Sequence, residues 1–527
     1  MFEDIRVLSK KNDASHFMAT IVGLRRDIKK IVTDQYRVVE VVDGQQRLTT
    51  LIILLKAIEK KLNRELTTED KLAKEVQELL IKQDNISLIL LRTNHDKTGF
   101  FVNYLRQGKN PPVKEANTLG DREILEAIHQ CEAFVDEWPN RIELLSIIKN
   151  QLTFILHEID DEAAVYTVFE VLNNRGLNVS PLDRLKSTLM SIAFQDNKGN
   201  VQEHIAELHS IWGEIYETVG LRQGLNTEAL RFAATLSVQV QVSKPFGEEK
   251  AVETLFEETG LSAKKAIEVS KWLLEVTAAV DRFWADTRSE AVTEIQQARL
   301  LAVAIVLRGF AKQDEKVLLE LWERTSFRIF GLCGKDARTG VGEYVRLAWD
   351  IVKDKKKTNG ASVILERIKK IGGAEGLDIE AAIDETRDSN CYEGWEEQLR
   401  YLLFRYEEYL AAKQGQKFTN EQWNHIWEGS AAESVEHIFP QSLGSSERVE
   451  PGKGVFVHRL GNLMLLPPGL NSKLKDQVPK NKADAYINTG LLSAVGVATT
   501  IKKHGWTTEQ IVQRENQLLD WIKTTWA

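Results

Sequence analysis

Cysteine is scarce in this chain of 527 residues: Cys131, Cys333 and Cys391 are odd in number and widely separated. They exclude a CxxC metal site and fit a reducing cytoplasm. Long apolar runs are missing as well. Runs such as Leu51 to Leu55 and Ala302 to Leu307 fall far short of the roughly 20 residues that a membrane span needs. The first residues, Met1-Phe2-Glu3-Asp4-Ile5-Arg6, contain no apolar core of a signal peptide. No membrane partner and a cytoplasmic location are therefore expected. An excess of positive charge is also lacking, because the formal net charge is -8. That argues against coating nucleic acid with the whole surface, although it leaves room for a local basic groove.

Proline is almost absent from about Val201 to Lys417, where Leu300, Leu301, Ala304, Ile305 and Leu307, and again Leu399, Leu402, Leu403 and Tyr406, fall at helical spacing. Without helix breakers, such a stretch predicts a bundle or array of amphipathic helices, and no fixed period identifies a repeat family. The chain is too long for one hydrophobic core, so two to four domains are expected. Its 43% hydrophobic and 28% charged residues are those of an ordinary soluble protein.

What the sequence does contain lies toward its two ends. From Gln35 to Val42 the chain is rich in β-branched residues and predicts a buried strand. Asp43-Gly44 then forms a tight turn, Gln45-Gln46-Arg47 follow, and a helix is expected from Thr49 or Thr50 to Leu62. A second strand is expected from Leu152 to Ile159, followed by a helix that carries Phe169 and Glu170 and stops at Asn173-Asn174-Arg175-Gly176. Ser180-Pro181-Leu182-Asp183 opens another helix, with Ser180 as N-cap and Pro181 in the first turn. Asp43 and Arg47 suit the metal and phosphates of a nucleotide, Gln45 and Gln46 could position water or base, and Asn173 and Arg175 could add contacts. A hydrogen-bonded turn between strand and helix is the competing reading.

Near the other end stands Glu436-His437-Ile438-Phe439-Pro440-Gln441, followed by His458-Arg459-Leu460-Gly461-Asn462, the apolar run Leu463 to Leu466, and Asn471. Cutting a phosphodiester needs a base for water, an oxygen-rich cradle for a hard cation and a group that fixes the imidazole tautomer. This order of residue types offers one of each. Leu463 to Leu466 predicts a strand that returns past the histidine, with Asn471 at the start of a helix. Between Lys453 and Lys482 six basic residues face one acid, Asp476, and such a stretch would bind phosphate without regard to sequence. Trp423, Trp427, Trp506, Trp521 and Trp526 are expected to be ordinary core residues.

The run from Glu436 to Gln441, with Leu460-Gly461-Asn462-Leu463 and Asn471-Ser472-Lys473, resembles the HNH (ββα-metal) nucleases in the variant carried by GmrSD-type restriction enzymes. Val42 to Leu51, with its Asp-Gly-Gln-Gln-Arg core, and Phe169 to Gly176, with Leu177, Ser180, Asp183 and Lys186, resemble the N-terminal half of the same enzymes, which is related to the ParB/sulfiredoxin fold. The resemblance implies an α+β multidomain protein, predominantly helical. Residues 1–195 would be a ParB/sulfiredoxin-like α/β domain, 196–418 a helical connector, and 419–527 a ββα-metal nuclease domain. Family members carry an extra segment with a Pro-x-x-Gln-Arg-like motif before the stretch that matches His16 to Val22. An N-terminal domain truncated at its start is the expectation.

The function so implied is modification-dependent (type IV) restriction. The protein would be a defence endonuclease cutting double-stranded, modified phage DNA under control of a nucleotide (GTP, ATP or UTP) at Asp43, Gln45, Gln46, Arg47, Asn173 and Arg175. His437 would be the general base, with Asn462 bracing its loop. Glu436 and Asn471 would hold Mg²⁺ or Mn²⁺, and Arg459, Lys473 and Lys475 would contact DNA phosphate. A homo-oligomer stays open. Two alternatives remain, a nonspecific nuclease toxin of abortive infection and a sensing module with an inactive nuclease fold.

Overall fold

The computed structural model describes residues 1–9, 15–31, 34–82, 88–89, 100–116, 119–159, 180–196, 200–220, 222, 224–354, 360–373, 377–427, 429–444, 456–474 and 476–526. They are predominantly helical with a few short sheets. The chain folds into two compact units, one of Met1–Leu230 with Glu248–Thr277, the other of Arg231–Gly247 with Ala278–Ala527. The helical middle contributes to both.

In the first unit, strands β1 (His16–Ile31) and β2 (Asp34–Asp43) pair antiparallel, β3 (Ile81–Lys82) and β4 (Leu88–Ile89) form a separate short ribbon, and β5 (Leu152–Ile159) lies parallel to β1. The three-stranded order is β2-β1-β5, with Val22 opposite both Asp43 and His157. Both expected strands are thus present, but β2 is an edge strand on which Gln35, Arg37 and Val38 are exposed, not the buried strand that its β-branched composition suggested. The helix after β2 begins at Gln45, ahead of the Thr49 or Thr50 that the apolar spacing indicated, and ends at Lys61. Its start is set by Gly44, whose φ of 90° is left-handed and whose carbonyl accepts the Leu48 N–H at 3.0 Å. The Gln-Gln-Arg triplet therefore forms the first helical turn instead of a loop.

A side chain at Gly44 meets two obstacles. Its Cβ would lie 3.1 Å from Ile21 Cγ1, and the left-handed backbone itself costs an L-residue about 1–2 kcal/mol. Gly44→Ala should therefore lower the urea midpoint of this unit by a corresponding amount. An unchanged midpoint would remove the argument that the turn is built on glycine.

Beneath the sheet, Ile53, Leu54, Ala57 and Ile58 of that helix are buried with Val76, Phe101, Tyr104, Phe134 and Leu144 from the helices around it. The helix Pro181–Gln195 starts as its sequence predicts, with Ser180 Oγ accepting the Asp183 N–H at 3.2 Å and Pro181 in the first turn. The expected helix through Phe169 and Glu170 and its Asn-Asn-Arg-Gly stop lie outside the described residues.

The second unit is a helical assembly whose interior is aromatic. Phe327, Tyr401, Phe404, Trp423, Trp521 and Trp526 are buried, with Phe404 packed on Trp423 and Phe327 on Tyr401 and Trp526. Aromatic rings bury large apolar areas per residue, so a few of them hold short elements in place. Two such elements are β6 (Val435–His437) and β7 (Leu463–Leu465).

Candidate active site

Strand β6 follows a one-turn helix, Ala431–Ser434, that opens with a capping box between Ser430 and Glu433. β6 and β7 are antiparallel, with Val435 opposite Leu465, Glu436 opposite Met464 and His437 opposite Leu463. The ladder continues past both ends, from Leu466 N–H to the Ser434 carbonyl at 2.9 Å and from Ile438 N–H to the Asn462 carbonyl at 3.0 Å. The helix Pro468–Leu474 follows β7 and carries Asn471 within it. Strand, strand and helix thus stand in the order that the apolar runs predicted.

Asn462 is fully buried and uses both ends of its amide. Oδ1 accepts from Phe439 N–H at 2.9 Å and from Trp506 Nε1 at 3.0 Å, while Nδ2 donates to the carbonyls of Phe439 at 3.0 Å and Val457 at 2.8 Å. A side chain so saturated pins the turn after His437 to the segment before β7 and has no group left for a metal. Trp506, expected only as a core residue, completes this clamp. Gly461 is required for the close approach beside it, because a Cβ there would lie 2.0 Å from the Ile511 carbonyl oxygen. From the same helix Arg514 donates to the carbonyls of Leu460, Gly461 and Leu463 at 3.3, 2.9 and 2.7 Å, and complete burial lowers its pKa to about 10.

His437 is 8% exposed. Its Nε2 lies 3.2 Å from Nδ1 of His458, and the exposed Gln441 amide nitrogen is 3.1 Å from Nε2 and 3.4 Å from Nδ1. Tyr392 meets the His437 ring edge-on at 4.6 Å. Burial, followed by the neighbouring His458 and Lys482, pulls the His437 pKa down to about 3. The imidazole is therefore neutral at neutral pH, as a base must be before it acts.

Strand alternation sends the Glu436 side chain to the opposite face from His437. Its Oε1 accepts from Lys482 Nζ at 2.7 Å and from the Tyr486 hydroxyl at 2.6 Å, and Lys482 also donates to the His437 carbonyl at 3.0 Å. Glu436 and Lys482 are 3% and 0% exposed, a buried ion pair. Burial raises the Glu436 pKa despite the lysine, and burial beside this carboxylate pushes the Tyr486 hydroxyl up as well.

The remaining predicted residues fare differently. Asn471 Nδ2 donates to the carbonyls of Ala432 at 3.3 Å and Val435 at 3.2 Å, so the amide is tied to the approach to β6 and its oxygen points elsewhere. Arg459 does not face solvent as a phosphate contact would. It is 6% exposed and paired with Glu515 through two guanidinium nitrogens and with Asp388. Lys482, counted in the basic stretch, is also interior; Lys473 and Lys480 are exposed, and Lys475 and Lys453 lie outside the described residues.

A metal at Glu436 and Asn471 does not fit these surroundings. The carboxylate already has an ammonium beside it, and among the described residues no three of His, Cys, Asp and Glu gather into a site. In the first unit Gln45 Nε2 donates to the Val41 carbonyl at 2.6 Å, Gln46 is exposed and Arg47 half-buried at the helix start. The Asp43 side chain, Asn173 and Arg175 lie outside the described residues.

Two family models match this chain. Residues 1–190 match the model described as GmrSD restriction endonuclease, N-terminal domain, and residues 378–521 match that described as GmrSD restriction endonucleases, C-terminal domain. Together the matches span more than half of the chain. No curated protein matches it. No helix among the described residues is long and apolar enough to cross a membrane.

Proposed function

Because the chain belongs to the GmrSD restriction endonucleases, and is thus a DNA-cutting nuclease of type IV restriction, we propose that it cleaves modified foreign DNA at His437 in a ββα-type site. The observation that carries this reading is a neutral, buried imidazole held at a strand end by a saturated Asn462 clamp.

In this reading His437 takes a proton from water, the resulting hydroxide attacks phosphorus, and the bond to the leaving 3′ oxygen breaks. Gln441, exposed above the ring, marks the solvent side from which water and the scissile phosphate arrive. Lys473 and Lys480, exposed on the elements after β7, supply non-specific phosphate attraction in place of the interior Arg459. Mg²⁺ or Mn²⁺ is proposed as cofactor from the family resemblance alone, and no step is assigned to it, because Glu436 is balanced by Lys482. The ParB/sulfiredoxin-like N-terminal domain, with a nucleotide at the Asp-Gly-Gln-Gln-Arg turn, is proposed to select the modified substrate.

The test is cleavage of a panel of glucosylated, phosphorothioate and unmodified duplexes, with and without Mg²⁺, Mn²⁺, EDTA and each NTP. Cleavage of at least one modified duplex at ten or more times the unmodified rate is expected. Equal cleavage of all duplexes would favour a nonspecific nuclease, and none under any metal would leave an inactive fold.

A further inference from the structure

We propose that Tyr392 is a positioning residue for His437: its ring fills the corner between the His437 and His458 imidazoles and keeps both from turning, while its hydroxyl is dispensable. The proposal rests on the reading of His437 as general base and adds a residue far ahead of the motif that suggested it.

The second side-chain torsion of a histidine is broad, so the ring takes its orientation from whatever packs against it. His437 stands at the end of β6, where the ladder fixes its backbone and leaves the imidazole to its neighbours. The His437 and His458 rings cross at 87° with their centroids 5.2 Å apart, which opens a corner between them. Tyr392 occupies that corner. Its ring meets His437 edge-on at 4.6 Å and 70°, and lies parallel to His458 within 17° at 5.8 Å. Edge-on and offset-parallel are the two arrangements that aromatic rings favour. One side chain thus restrains both imidazoles.

A wall must itself be fixed, and the loop that carries Tyr392 is tied down along its length. It joins the helices Ile379–Thr386 and Glu396–Lys413. Asp388 takes a left-handed backbone, with φ of 61°, and pairs with Arg459, the residue after His458. A residue other than glycine holds such a conformation only where its surroundings impose it. The Cys391 N–H donates to the His458 carbonyl at 2.8 Å, so the loop and the histidine move together. Asn390 Oδ1 accepts the N–H groups of Tyr392 at 3.0 Å and Glu393 at 3.1 Å, which sets the direction in which the tyrosine leaves the main chain. Beyond it, the Trp395 indole donates to the Gly331 carbonyl at 2.9 Å. That carbonyl lies in the last turn of the π-helical segment Phe327–Leu332, where helical partners run out. The Tyr392 hydroxyl, in contrast, has no hydrogen-bond partner among the described residues. What the fold holds is the ring.

Two substitutions in the full-length protein separate ring from hydroxyl. Tyr392→Phe keeps the ring, and its kcat for DNA cleavage should stay within about twofold of wild type. Tyr392→Leu should lower kcat about ten- to a hundredfold with KM within about twofold, the effect of misplacing a reacting group by about 1 Å. A Tyr392→Leu kcat equal to wild type, or a Tyr392→Phe loss as large as that of Tyr392→Leu, would overturn the proposal. A second readout needs no cleavage. In the ¹H–¹³C spectrum of the histidine rings, assigned by loss of signals in His437→Ala and His458→Ala, His437 should give one signal in wild type and in Tyr392→Phe, and several or broadened signals in Tyr392→Leu. Several His437 signals in wild type, or one sharp signal in Tyr392→Leu, would equally overturn it. If wild type cuts no DNA while the spectra behave as expected, the nuclease reading fails and the hold of Tyr392 on His437 survives.

Discussion

Replacement of His437 by alanine should lower the rate of DNA cleavage by about 10²- to 10⁴-fold, the range over which a positioned general base contributes. The loss should appear in kcat, because the ring is 8% exposed and adds little surface for binding the duplex. A stability control is straightforward. The contact that ties this residue to Lys482 runs through its backbone carbonyl, and the ladder to Leu463 is also main chain, so both persist without the imidazole. A melting curve near that of wild type, together with abolished nicking of a sensitive duplex, is the expected pair of results. Cleavage within fivefold of wild type would move the base elsewhere. Half-buried His458 is then the next residue to remove.

The second large effect is on folding. Lys482→Met should destabilise the second unit by about 3–5 kcal/mol, since it leaves the Glu436 carboxylate buried with only the Tyr486 hydroxyl as partner. For a unit of this size that is a fall in Tm of the order of 10 °C. Restoring neutrality with Glu436→Gln in the same chain should recover most of the loss, because an amide of the same shape can still accept from Tyr486. The pH dependence has a definite sign. Burial already raises the Glu436 pKa, and removing the ammonium raises it further. A carboxyl whose folded pKa lies above its unfolded value stabilises the fold below the unfolded pKa and loses that contribution as pH rises through the folded one. The deficit of Lys482→Met should therefore be smallest near pH 4 and largest at neutral pH. A deficit that is flat with pH, or a double variant no better than the single, would mean that the pair contributes packing and not charge.

These two residues also show how far local sequence carries. His437, Asn462 and the strands around them were legible because their signal is local. An apolar run predicts β7, and a histidine beside a carboxylate with asparagines after it offers the residue types that cutting a phosphodiester needs. Lys482 was visible only as one of six bases in a basic stretch. Its burial depends on a helix that folds back on Glu436, and nothing in a count of charges distinguishes it from exposed Lys480. Arg459 misled for the same reason, because its partner Glu515 lies in the last helix of the chain. Trp506 could be placed in a core by composition, but its bond to Asn462 depends on a turn between two helices that pack beside β7.

The start of the helix after β2 is an intermediate case. Apolar spacing located its body, and the structure moved its first turn back to Gln45 because Gly44 adopts a left-handed conformation against Ile21. Spacing reports which face of a helix is buried; it carries no information about which carbonyl accepts the first helical hydrogen bond.

By itself the sequence determined the two families of motif and the predominantly helical build, and it singled out His437 as the residue proposed to act as base, since all of these follow from residue types within a few positions of one another. Tertiary structure alone decided what surrounds that base. It set His458 and Tyr392 against His437, turned Glu436 away to Lys482 and Tyr486, and drew Arg459 inside to Glu515. Charge in a folded chain is settled by partners that arrive from far along the sequence, and whether a charged side chain is buried or exposed depends on those partners.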